Sequence, residues 1–198
     1  MPYGSNNQNL FTSIRIKTGR FLLAKATARQ HRSRIAKGLG EAESIGIVYS
    51  LKTIEDYTTV SGFALKLQKM GKKMQMVAYH PQKVIPNFYA ENLSSDLLLK
   101  KDVDLFFRPN KSCATDFMHN EFDILFDLST PDDFTAECIA SLSRARFKIG
   151  SGGNTSLADY DLTIQVTKES DNIRDGLEGL IEQMIFYTTT ITFRSETS

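Results

Sequence analysis

Three carboxylates, Asp127, Asp132 and Asp133, follow one another closely where the apolar run FDILFDL gives way to STPDD. Oxygen ligands grouped in this way can hold Mg²⁺, and the carboxyl end of a strand is where α/β proteins place their ligands. The same residues have a plainer use. Asp132 and Asp133 come directly after Pro131, where negative charge complements the dipole of a helix opening at that proline. The plainer use is preferred, and neither a metal nor a cofactor is expected. Downstream, the loop Gly150-Ser151-Gly152-Gly153-Asn154-Thr155-Ser156 could let backbone N–H groups converge on a phosphate, since glycine lacks the Cβ that would block the approach. Phosphate loops lead straight into a helix, whereas here the chain continues to Tyr160-Asp161-Leu162, the approach to another strand. A connecting loop is therefore expected, with Asp127, Gly150, Gly152 and Gly153 as a secondary candidate ligand site. His80 ends an apolar run but has no carboxylate or nucleophile adjacent in sequence, and Cys113 and Cys138 fall in helical patterns as buried thiols do. No residue is assigned a catalytic role.

The remaining chemistry is electrostatic. The chain carries 24 basic and 23 acidic residues, a balance that hides a strong asymmetry. Residues 1–40 hold Arg15, Lys17, Arg20, Lys25, Arg29, Arg32, Arg34 and Lys37 with no Asp or Glu, for a charge of +8, and the rest has 16 basic against 23 acidic residues. Such an arm suits a polyanion, and cations spread around a helix suit phosphate contact better than base reading. The same charges, with Phe11, Ile14, Phe21 and Leu22 as an inserted face, would suit an anionic membrane surface. The bland reading is a basic helix packed on the acidic body of its own chain.

These residues need elements to hold them. Composition, with 41% hydrophobic residues in 198, allows a real core. Two cysteines without a CxxC indicate a reducing cytoplasm, and no run reaches the roughly 18 to 20 apolar residues that span a bilayer. A helix is predicted over about 10–37, capped near Asn9, either continuous or broken at Gly19. Strands are predicted at Ser44–Ser50, Lys73–His80, Val103–Phe107, Phe122–Leu128, Phe147–Gly150 and Leu162–Val166. Helices are predicted from Thr53, paired with Asp56 as a capping box, to Met70; around Ser95 to Lys100; from Ser112 to about Asn120; from Pro131 to about Arg144; and over Ile173–Thr190. Strands alternating with helices give a three-layer Rossmann-like α/β sandwich over 43–193, mostly parallel, of about five or six strands, followed by a tail at 194–198 and preceded by a separate basic arm.

The segment EFDILFDLSTPDDFTAECIASLSRARFKIG, Glu121 to Gly150, resembles the late part of the N-terminal half of heptosyltransferase-type glycosyltransferases. There, a strand ending in Asp, a helix and an ARYRIG-like strand follow in the same order. With SIGIVYS, the Gly71-Lys72-Lys73 turn and YDLTI, nearly the whole chain also resembles a family of small Bacteroidota proteins that have no established activity. The first resemblance implies a Rossmann-like fold. It does not imply transfer, because the chain ends before a second, donor-binding domain could begin, and its first strand runs into Ser50-Leu51-Lys52-Thr53 where those enzymes have a glycine-containing loop. The expectation is a non-catalytic cytoplasmic binding protein. Its arm would contact RNA or a ribonucleoprotein, such as a ribosomal partner, and its body would dock a protein. The alternatives are a peripheral membrane protein using the same helix, or a degenerate nucleotide- or sugar-binding relative of glycosyltransferases.

Overall fold

The structure, a computed structural model, describes residues 5–90, 94–151, 158–165 and 176–190. Six strands, β1 (Ser44–Ser50), β2 (Lys73–His80), β3 (Ser95–Leu99), β4 (Ile124–Leu128), β5 (Phe147–Gly150) and β6 (Leu162–Thr163), form one sheet in the order β3-β2-β1-β4-β5-β6. Every neighbouring pair is parallel. The helices are α1 (Ser5–Thr27), α2 (Ile54–Lys69), α3 (Ser112–His119), α4 (Phe134–Leu142) and α5 (Leu177–Thr190).

Both faces of the sheet are covered, so β1 reads as a continuous buried run while its side chains still alternate. Ile45, Ile47 and Tyr49 join Phe126, Ile149 and the apolar faces of α2 and α5 in one core. Val48, with Leu125 of β4, meets Ala114 and Phe117 of α3 and Ala136, Ile139 and Ala140 of α4 on the other. A third, smaller cluster lies outside the sandwich, where Leu23 of α1 is buried against Phe134 and Cys138 of α4. Gly19 permits this contact. A Cβ there would sit 2.6 Å from both the Phe106 carbonyl oxygen and the Phe134 ring.

Several local expectations need correction. The helix of the arm starts at Ser5, before Asn9, passes unbroken through Gly19 and ends at Thr27 instead of Lys37. Residues 31–38 have no regular structure and form a strap, with the Ile35 N–H donating to the Arg146 carbonyl and the Leu39 N–H to that of Thr188. The arm is thus laid on the body and does not stand apart from it. The segment around Ser95 to Lys100 is the third strand, β3, and not a helix, since a short run of leucines buried in a sheet lacks the alternation that would mark it. Val103–Phe107 is a turn instead of a strand. The Asp104 carboxylate accepts from the N–H groups of Phe106 and Arg108 and curls the chain, with a single bridge between Val103 and Pro109. Helix α4 opens at Phe134, with Asp133 as its cap, so Pro131 lies in the preceding turn. Strand β6 is described at Leu162–Thr163, while Val166, Ile173 and the rest of 166–175 lie outside the described residues.

Candidate functional site

The strand order reverses between β1 and β4, whose chains lead to opposite sides of the sheet, and the crevice beyond their carboxyl ends is where this architecture holds ligands. Ser50 ends β1 there. Its hydroxyl donates to Asp133 at 2.6 Å and accepts from the Thr130 N–H at 3.0 Å. The other Asp133 oxygen accepts from the Ala136 N–H at 3.0 Å and so closes the N-terminus of α4. Burial pushes the Asp133 carboxyl up to about 6 against these hydrogen bonds, with the Asp127 charge adding to the rise. At α2 the capping box forms as the Thr53 and Asp56 spacing predicts. Lys52 Nζ, in the same loop, holds both oxygens of Asp132 at 3.0 Å. The N-termini of α2 and α4 are therefore each occupied by a carboxylate of the chain, which leaves neither disposed to accept a phosphate.

Asp127 and Gly150 are brought together as register partners on β4 and β5. Asp127 is buried, and it accepts from the Tyr160 hydroxyl at 2.5 Å and the Ser129 N–H at 2.9 Å, while burial raises its carboxyl. The Tyr160 ring lies against Gly150, where a Cβ would come within 2.4 Å of it. The glycine thus makes room for a ring that bonds an aspartate. Gly152 and Gly153 lie outside the described residues. Among the described residues no group of three His, Cys, Asp or Glu side chains is placed to hold a metal. His80 is buried with Nδ1 donating to the Leu51 carbonyl at 2.7 Å, which ties β2 to the loop after β1. Burial raises both thiols, Cys113 and Cys138.

Helix α1 lies along this rim. A cavity of about 210 Å³ remains beneath it, lined by Thr12 and Ile16 of α1 with Lys52, Phe107, Asp133 and Phe134. Phe107 has φ 60°, which the Asp104 turn imposes, and its ring lies 4.4 Å under the Arg15 guanidinium.

The eight cations of the arm divide by direction. Arg20 pairs bidentately with Glu137 of α4, at 2.9 and 3.1 Å. Arg32 makes a two-pronged pair with Asp161 at 2.8 and 2.9 Å, and both side chains are nearly buried. Arg34 meets Asp159 and Asp161, Lys37 meets Asp123 at 2.8 Å, and Arg15 donates to the Leu105 carbonyl. Lys17, Lys25 and Arg29 are exposed and make no ion pair among the described residues. Lys17, Phe21 and Lys25 recur at four-residue spacing and so stack along one side of α1, and Arg29 continues the row in the turn after Thr27. Phe11, Ile14 and Phe21 on that side are 66%, 52% and 69% exposed, while Leu22 is half-buried. The outward face is therefore aromatic and basic together.

The carboxylate partners Glu137, Asp161 and Asp123, and the bridging pair Ser50 and Tyr160, carry no local sequence signal, since each acquires its role from a residue far along the chain. No helix among the described residues is long and apolar enough to cross a membrane. No curated protein and no solved structure matches the chain. A family model does match, over residues 15–191, spanning the inward and outward cations of the arm as well as the sheet. The chain belongs to the family of unknown function DUF6913.

Proposed function

We propose that this protein is a non-catalytic binding protein that docks on RNA or a ribonucleoprotein through the outward side of α1, with the α/β body as its scaffold and a surface for a protein partner. The observation that carries the reading is the row Lys17, Phe21, Lys25 and Arg29, held rigid because the other cations of the arm are tied to the body. Phosphates would meet the three cations, giving salt-dependent affinity. The candidate set from sequence, Arg15 to Lys37, is thereby narrowed: Arg15, Arg20, Arg32, Arg34 and Lys37 hold the arm in place. The rim supports a nucleotide or sugar-nucleotide less well, since the N-termini of α2 and α4 there carry the chain's own carboxylates. A cytoplasmic location, kinship with the Bacteroidota proteins and likeness to the heptosyltransferase-type half-fold belong to the same reading. The segment that carries the last falls on β4, α4 and β5.

The test is affinity capture of the tagged full chain from its native cell with and without nuclease. RNA should co-purify, leave with rising salt and be lost when Lys17, Lys25 and Arg29 are replaced together by Glu. Exposure of Phe11, Ile14 and Phe21 favours one second reading, attachment to an anionic membrane. Sedimentation with phosphatidylserine vesicles, abolished by Phe21→Glu, would establish that reading in place of the first.

A further inference from the structure

We infer that the outward side of α1 takes single-stranded RNA in preference to a duplex, through phosphates on Lys17, Lys25 and Arg29 and bases stacked on Phe21 and Phe11; this rests on the RNA-binding reading above. The occupant must be anionic. A two-fold pairing of copies through this side would bring α1 against α1, and because residues 1–40 contain no Asp or Glu the contact would set cation against cation. A membrane-inserting helix segregates its apolar and charged residues, with the cations on the polar face. Here the lysines stand in line with the aromatic ring: Lys17 precedes Phe21 by four residues and Lys25 follows it by four, so insertion of the ring would carry both ammonium groups toward the hydrocarbon.

A nucleic-acid strand uses that interleaving directly. Successive members of the row are separated by a rise of about 6 Å on a helix. Two phenylalanine rings that are two-thirds exposed are costly in water and have no partner ring nearby on α1, yet each offers a flat face of the kind on which unpaired bases stack. A duplex hides its base faces and would leave Phe11 and Phe21 in solvent. Three cations are also few for a duplex, whose non-specific binding depends on many phosphate contacts, whereas stacking supplements charge on a single strand.

The experiment is fluorescence anisotropy of the full chain with short labelled oligo(A) and oligo(U) RNA and with the duplex they form, across a salt series. The single strands should bind roughly 10-fold or more tighter than the duplex, with log K against log salt near a slope of about −2 for three phosphates. Phe21→Ala and Phe11→Ala should each weaken the single strands roughly 5-fold or more and leave the slope unchanged. Lys25→Gln should weaken them and make the slope shallower by about 0.7. Circular dichroism of each variant checks folding, and the exposure of these side chains makes the fold insensitive to them. Equal binding of strand and duplex, with neutral phenylalanine variants, would overturn the single-strand inference while leaving RNA binding intact. No binding of either RNA at low salt by the folded protein would overturn both, as would capture by phosphatidylserine vesicles or by an acidic protein in their place.

Discussion

Asp133 does two jobs with one carboxylate, capping α4 and holding the Ser50 hydroxyl, and it does them in a buried position beside Asp127. Burial raises its carboxyl to about 6, above the 3.8 it has in the unfolded chain. The folded state therefore binds this proton more tightly, so the group's contribution to stability is fully present below about pH 4 and is lost as pH rises through about 6. Asp133→Asn keeps an oxygen for the Ala136 N–H and removes the charge. Denaturant unfolding between pH 4 and 7 should show a flatter pH dependence in this variant and, at pH 7, a gain on the order of 1–3 kcal/mol. An unchanged pH dependence would show that Asp133 does not carry it. Asp123 works the other way. Burial raises its carboxyl, but the hydrogen bonds from Lys37 and from the N–H groups of Glu43 and Ser44 outweigh this and hold it at about 2. Its contribution is present above about pH 4 and is lost only as pH falls through about 2.

At the scale of elements, the strap after α1 is fastened by a polar cluster under β5. Arg32 grips Asp161, and Asp161 in turn accepts from the Lys148 N–H at 2.8 Å. The Lys148 ammonium is buried and donates to the Ala140 and Ser141 carbonyls, both at 2.9 Å, at the C-terminal end of α4. Burial, and after it the Arg32 charge, lowers Lys148 to about 7. Arg32→Ala should cost about 3 kcal/mol in denaturant unfolding because it breaks the two-pronged pair with the nearly buried Asp161 and leaves it only Arg34 at 3.6 Å, whereas Arg29→Ala, on an exposed position, should cost less than about 0.5 kcal/mol. The sequence made this fold class legible because β1, β2 and β4 are long apolar runs separated by helical periodicity, and because Thr53 and Asp56 spell their own cap. It hid β3, where SDLLL suits a strand or a helix equally until a neighbouring β2 decides. It made VDLFF look like a strand because the turn is set by one side chain, Asp104, and not by glycine or proline. The proline-free, acid-free stretch from Ala28 to Lys37 reads as a continuation of the helix, and long-range bonds to Leu142, Arg146 and Asp161 draw it out instead. In the candidate site the cations were legible as a set, but their division into inward and outward groups depends on partners far away in sequence.

For the molecule as a whole, the +8 of the arm and the acidic excess of the body are two halves of one structure, joined by the Arg20, Arg32 and Lys37 ion pairs. This bears on how binding should be tested. Removing residues 1–40 takes away the outward row, but it also strips Arg20 from Glu137, Arg32 from Asp161 and Lys37 from Asp123, and it uncovers Phe134 and Cys138 where Leu23 was buried. Each of these carboxylates is largely buried, so Glu137 and Asp161 would lose their arm cations, and Asp123 would keep only Arg146 at 3.6 Å. The exposed Leu23 contact adds about 2 kcal/mol. The truncated chain should therefore unfold several kcal/mol more easily than the full chain, a large share of the 5–15 kcal/mol that holds an ordinary domain together. Thermal and denaturant unfolding followed by circular dichroism checks this, and a truncated chain as stable as the parent would show that the arm is not part of the folding unit. The triple variant Lys17→Glu, Lys25→Glu, Arg29→Glu separates the two roles. Its unfolding midpoint should stay close to that of the parent, because the exchanged residues make no ion pair among the described residues, while RNA retention at low salt should be lost.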